Sequence, residues 1–260
     1  MADNTYKGTD ITYNAPVKCM LVTAADTSHA RSLQQLIRSF RKHHKYDPVM
    51  VVDLGMTPED VKEVRSLMDD AMLLVQFPYD DYPDYFNIKK AAGEYAWKPC
   101  IIWEALRHLD KIPLIWADAG CRIDGPLDQI IDFTEKVGLY ASLTCGGLRG
   151  WTDDRCLEYL GILENEEICK KAMRAATLVA FHPRNKPAVA LCKEWATLAQ
   201  IKECIAPEGS SKLQPNPHRQ DQSVLTALLA MHGFHEQLPQ EQCRWNWTAH
   251  CDCDGRPRNI

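Results

Sequence analysis

Apolar residues along the chain fall into short runs separated by stretches with helical spacing. The run from Cys19 to Ala25 has the length of a buried strand, and Leu33, Leu36, Ile37 and Phe40 then recur at the spacing of one helix face. Asp26, Thr27 and Ser28 stand at the junction as capping residue types. PVMVVDLGM predicts a second strand stopping at Asp53-Leu54-Gly55. Thr57-Pro58-Glu59-Asp60 then supplies a cap, a first-turn proline and two acids, the pattern of a helix start. AMLLVQFP predicts a third strand. In YAWKPCIIWEALRHLD, Ile101, Ile102, Ala105, Leu106 and Leu109 form one apolar helix face, and KIPLIWADAG returns as a strand apolar on both sides, as central strands are.

The second half is less regular. VGLYASLT predicts a strand, CGGLRGWTDD a loop, DRCLEYLGI and EEICKKAMRA helices, ATLVAFHP a strand and KPAVALCKEWATLAQ a helix. A polar, proline-rich segment, QPNPHRQ, leads into a last helix beginning around Gln220. Strands alternating with helical stretches of roughly ten to fifteen residues define an α/β fold with a mostly parallel central sheet flanked by helices. In such sheets ligands bind beyond the carboxyl ends of the strands. No repeat or linker divides the chain, so the expectation is one domain over residues 1–260, with 240–260 an appendage closing the site.

Composition narrows the ligands. The chain has 260 residues and a formal net charge of −5, so nothing general favours nucleic acid or an anionic membrane, and an anionic ligand must be met by a local basic group. No run reaches the ~18 apolar residues that span a bilayer, and MADNTYKGTDITYNAP lacks a signal pattern. Eleven irregularly spaced cysteines, an odd number, argue against a disulfide framework. The expectation is a soluble cytoplasmic protein, although Asn246-Trp247-Thr248 would be an N-glycosylation site in a secreted form.

Asp118 stands at the end of the central strand, where a carboxylate reaches ligand, although an acid there can equally cap the next turn. Three further segments share its order along the chain: Val22-Thr23-Ala24-Ala25-Asp26 closing the first strand, Tyr95-Ala96-Trp97-Lys98 opening a helix, and Gln220-Asp221-Gln222-Ser223-Val224-Leu225 opening a later one. With Asp118-Ala119-Gly120 in the place of a D-x-D motif, the chain resembles the GT-A glycosyltransferases over about residues 17–229. Within them it resembles the retaining family that includes glycogenin and the bacterial lipopolysaccharide galactosyltransferases. MVVDLGM with YAWKP also resembles poorly characterised animal and viral relatives of that fold.

The resemblance implies a nucleotide-sugar donor, expected to be a UDP-sugar, and a glycan or glycoconjugate acceptor. Thr23, Ala24, Asp26, Asp53, Lys98, Asp118 and Gly120 then line the donor site. Asp221 accepts sugar hydroxyls and Gln222 lies near the anomeric carbon, where a carboxamide oxygen stabilises an oxocarbenium-like centre in a retaining transfer. The leaving diphosphate needs a divalent cation, Lys or Arg. Mn²⁺ or Mg²⁺ wants oxygen ligands, and Asp118 would hold the cation or the ribose. Gly120, however, stands where the family carries its second acid. Two repairs are open: ligands from His250-Cys251-Asp252-Cys253-Asp254, with His250 preferred, or replacement of the metal by Lys98 and other bases.

Each residue also has a plainer reading. Lys98 can be a solvated lysine at a helix start, Asp221 a helix cap, and Asp53 a turn acid beside Gly55. Asp153 and Asp154 are candidates for acceptor binding or for an inverting base, or are simply solvated. Cys243, His250, Cys251 and Cys253 are zinc ligand types, in a Cys-x-Cys spacing tighter than usual. Two other functions stay open: a degenerate module that binds nucleotide-sugar or glycan without turnover, and a sugar nucleotidyltransferase. The latter would carry a Gly-rich basic loop where Ala24-Ala25-Asp26-Thr27 stands.

Overall fold

The computed structural model describes residues 17–210 and 217–251. The N-terminal stretch read for targeting signals, residues 214–216 of the proline-rich segment, and Asp252, Cys253 and Asp254 lie outside them.

β1 (Met20–Ala25), α1 (Ala30–His43), β2 (Val49–Asp53), α2 (Pro58–Arg65), β3 (Met72–Gln76), α3 (Trp97–Leu106) and β4 (Leu114–Ala117) follow the periodicity of the sequence closely. At α2 the Thr57 side chain accepts from the Asp60 amide, and Asp60 accepts from that of Thr57, a reciprocal capping box with Pro58 in the first turn. Then come β5 (Arg122–Ile123), α4 (Asp128–Val137), β6 (Leu139–Gly147), α5 (Asp154–Tyr159), α6 (Glu166–Cys169), β7 (Ala172–Phe181), α7 (Lys186–Leu198), α8 (Lys202–Ile205), α9 (Gln220–Met231) and β8 (Trp247–Thr248).

Six strands form one sheet in the order β3-β2-β1-β4-β7-β6, and β5 pairs with β8 in a small second sheet. β1 runs parallel to β2 and β4, and β2 to β3, whereas β7 is antiparallel to both β4 and β6. Alternation along the central strands splits the core into two layers. Leu21, Ile115 and Leu178 pack with α1 and α4; Val22, Trp116 and Val179 pack with α3, α7 and α9.

One predicted element changes identity. EEICKKAMRA is helical only over Glu166–Cys169, and Ala172 to Arg174 open β7. Lys and Arg gave this segment an exposed, amphipathic look. Arg174 is instead fully buried, donating to the carbonyls of Pro239 and His235, and burial lowers its pKa to about 10.

At the amino end of the sheet, buried Asp47 gathers the Lys18 and Cys19 amides on one oxygen and His44 Nδ1, at 2.7 Å, on the other. His44 Nε2 accepts from the Leu127 amide at 3.0 Å, so the ring is a neutral Nδ1–H tautomer pinning α1, β2 and α4 together. Burial works against the Asp47 carboxylate, but the bonds from His44 and the amides outweigh it and hold the pKa below the usual value. Cys19, His44 and Asp47 form the one group of three metal-ligating side chains found among the described residues. Their polar atoms are already bonded to one another and to backbone.

Candidate active site

The parallel strands bring the carboxyl ends of β1, β2 and β4 to one edge, and the N-termini of α3 and α9 reach it. Lys98, in the first turn of α3, places its ammonium 2.9 Å from Asp118 Oδ1 and 2.8 Å from Asp221 Oδ2. Three residues far apart in the sequence therefore form one cluster. The Lys98 side chain is 4% exposed, Asp221 8% and Asp118 36%, so only Asp118 faces outward appreciably. A third Lys98 hydrogen points to the Ala176 carbonyl at 3.4 Å.

A lysine near a helix N-terminus opposes the helix dipole. Burial also disfavours its charge, but Asp118 and then Asp221 more than compensate and raise its pKa well above the ordinary value. Lys98 is thus a cation held between two carboxylates, with its donors engaged, rather than a solvated surface lysine. The indole N–H of Trp116 donates to Asp118 Oδ1 at 2.8 Å, and that of Trp195 donates to the Asp221 carbonyl at 3.0 Å. Trp116 was legible as a partner, since residues i and i+2 of a strand share a face; Trp195 carried no such signal.

Both segments entering the cluster are conformationally unusual. Ala91 to Tyr95 all have positive φ, between 45° and 63°, and Gln220, the first residue of α9, has φ 39°. Gly93 is packed so closely that a Cβ there would lie 2.3 Å from the Phe86 carbonyl oxygen. The Gln220 carboxamide donates to Glu94 Oε2 at 3.1 Å, tying the two segments together. Beside them the Arg219 guanidinium stacks on Trp151, 3.7 Å from its ring centroid, and enters no ion pair among the described residues. Buried Gln222 Nε2 and Thr23 Oγ1 have no hydrogen-bond partner among the described residues.

The other candidates divide. Ala24 is buried in β1. Asp26 accepts from Ser28 Oγ and pairs with His29 Nδ1 at 3.0 Å. Asp53 accepts from the amides of Gly55 and Met56, the turn role its position beside a glycine allowed. Ala25 and Asp53 are register partners, and Asp26 and Asp53 both act on Tyr79, whose phenol burial and then these charges push upward. Asp153 is held by a bidentate Arg155, at 2.9 and 2.8 Å, and caps α5, a structural role that leaves its carboxylate committed. Asp154 is exposed.

Gly120 turns the chain from Asp118 into β5, and its carbonyl accepts the Cys251 amide at 2.7 Å. The stretch before Cys251 is therefore laid against the Asp118 turn, with β8 paired to β5. His250 is exposed, with φ 57°. The described donors around Asp118 do not make a divalent-cation site. One oxygen of Asp118 already meets Trp116 and Lys98, Gly120 has no side chain, and among the described residues no three His, Cys, Asp or Glu groups gather there.

This architecture is that of the GT-A glycosyltransferases. An active-site mutant of LgtC superimposes with a TM-score of 0.52 at 14% identity, over 80% of this chain and 69% of that one. The mannosyltransferase Ktr4p of S. cerevisiae gives 0.53 at 9% identity, over 82% and 66%. The bifunctional glycosyltransferase WbbM gives 0.49 at 12% identity; it is much longer, and this chain spans 39% of it. By sequence, residues 3–103 match the model of a family described as a protein of unknown function, DUF1647. That stretch contains Thr23, Asp53 and Lys98 and stops short of Asp118. No curated protein matches the sequence. No helix among the described residues is long and apolar enough to cross a membrane.

Proposed function

We propose that the protein is a glycosyltransferase that moves a sugar from a nucleotide-sugar donor, a UDP-sugar, to a hydroxyl of a glycan or glycoconjugate with retention of configuration. The observation that carries this reading is the Lys98 ammonium between Asp118 and Asp221 at the carboxyl edge of a GT-A sheet. In this reading Lys98 is a positioning residue: its donors are committed to the two carboxylates, and it fixes where they point. Asp118, the more exposed acid, accepts from ribose or sugar hydroxyls, and Asp221 fixes the entry of α9. Gln222, whose buried Nε2 has no partner among the described residues, is assigned in this reading to the reacting centre. As the bond from the anomeric carbon to the diphosphate oxygen breaks, the diphosphate leaves with the electron pair. The acceptor oxygen bonds to that carbon, and its proton passes to the departing phosphate. In this reading Arg219, stacked on Trp151 next to Gln220, supplies the cation that meets that charge.

The test is calorimetric titration of UDP after chelator treatment, with and without Mn²⁺, paired with slow hydrolysis of UDP-sugars in the absence of acceptor. UDP is expected to bind without added metal. Asp118→Asn is expected to lower hydrolysis at least about 100-fold; because it also removes one of the two acids beside buried Lys98, circular dichroism at the assay temperature shows that the variant is folded. Full activity in that variant would remove Asp118 from the site. UDP binding with no hydrolysis of any UDP-sugar would make the protein a nucleotide-sugar binding module.

A further inference from the structure

A second feature shares no residue with the Lys98 cluster. Along the outer side of α1, between α2 and β5, runs an open groove of about 580 Å³ lined by Arg31, Arg38, Lys42 and Arg122, with Glu63 the one acid among the described lining residues. In a chain of net charge −5, four cations against one acid among the described residues of a single groove is a local inversion of sign. Arg31, Arg38 and Lys42 are spaced by seven and four residues, which at about 100° per residue puts them within a narrow stripe of the helix, about 16 Å from end to end. Arg122 reaches the stripe from β5, which packs on α1.

The charges are unequally committed. Glu63 is held by the Gln34 carboxamide at 2.8 Å, Arg122 pairs with Asp124, and Arg31 acts on Asp60 at the start of α2. Arg38 donates only to the neutral Gln34 oxygen, at 3.3 Å, and Lys42 enters no ion pair among the described residues. Gln35, in the same groove, is spent on the Cys251 carbonyl. Arg forks and a Lys point charge match the oxygens of phosphate and sulfate. A stripe this long matches several such groups on one ligand better than a single compact anion.

We infer that this groove binds an extended polyanion, a glycan carrying two or more sulfate or phosphate esters. The test is calorimetric titration of the full chain with a heparin-derived sulfated hexasaccharide and, separately, with inorganic tripolyphosphate. The hexasaccharide is expected to bind with an affinity that falls as salt is raised. Arg38→Ala with Lys42→Ala, both exposed on α1, should weaken it at least 10-fold with circular dichroism and UDP affinity unchanged, and Glu63→Gln should strengthen it. Lys193→Ala, on the exposed side of α7, should leave it unaltered. Absence of hexasaccharide binding overturns the proposal, as does equal binding by the double variant or an equal loss in Lys193→Ala. Tripolyphosphate binding as tight as the hexasaccharide would assign the groove to a compact polyphosphate and overturn the glycan assignment.

Discussion

At the scale of single residues, two of the buried charges, Lys98 and Asp47, are solved in opposite ways. Lys98 is surrounded by acids, and removing it would leave Asp118 and Asp221 facing each other without a counter-ion. Lys98→Met is expected to cost about 3–5 kcal/mol in urea unfolding at neutral pH. Asp47 runs the other way. Its folded pKa lies below the unfolded value, so its contribution is complete above about pH 4 and is lost as pH falls through the folded pKa. Asp47→Asn should lower stability by roughly 2–4 kcal/mol at pH 7 and flatten the acid limb of the stability profile. Identical acid limbs in the two proteins would show that Asp47 carries no such load. The sequence placed Lys98, Asp118 and Asp221 at one edge but not in contact, since convergence depends on where α3 and α9 enter. Cys19, His44 and Asp47 left no trace, because a His-His-Lys-Tyr-Asp stretch reads as a polar connection until its neighbours are known.

At the scale of elements, the left-handed segment before α3 is the unusual one. Alanine and glutamate disfavour positive φ by about 1–2 kcal/mol each, so Ala91, Ala92 and Glu94 are held there by what surrounds them. Trp97 Nε1 bonds the Ala92 carbonyl, and Glu94 takes the Gln220 amide. Gly93→Ala combines an unfavourable φ with the contact at the Phe86 carbonyl, and a loss of at least about 2–3 kcal/mol is expected. Ala92→Gly should be neutral or stabilising by up to about 1 kcal/mol. A stability unchanged in Gly93→Ala would mean the segment can relax. The periodic elements β1 to β4 were readable because buried strands and amphipathic helices write their periods into the sequence. The left-handed backbone of the segment before α3 was not readable, because two alanines beside a glutamate are ordinary helix formers. β7 was truncated in the reading for a related reason: the buried Arg174 guanidinium is hydrogen-bonded by carbonyls from residues more than sixty positions away.

At the scale of the whole molecule, the stretch from Cys243 to Cys251 crosses back over the chain's first half. Trp245 packs between Phe133 and Tyr140, with ring centroids 5.7 and 5.5 Å away, and Trp247 is buried in β8. The Asn246 carboxamide donates to the Pro126 carbonyl and Thr248 Oγ1 to Asp124, so both polar groups of the sequon are engaged in the fold. Trp247→Ala is expected to cost about 3–5 kcal/mol. Amide exchange should quicken at Asp124, bonded to the Asn246 carbonyl, and at Cys251. Unchanged protection at Asp124 would show that β5 stands without β8.

The bond from Gln35 to Cys251 joins positions 216 apart. During synthesis the ribosome releases α1 and the Asp118 turn long before the residues that cover them. Until then the edge that gathers Lys98, Asp118 and Asp221 stands open on a nascent chain. Assembly of the proposed catalytic centre is therefore paced by translation, and a ribosome stalled before Cys243 would present a folded sheet with an unfinished site.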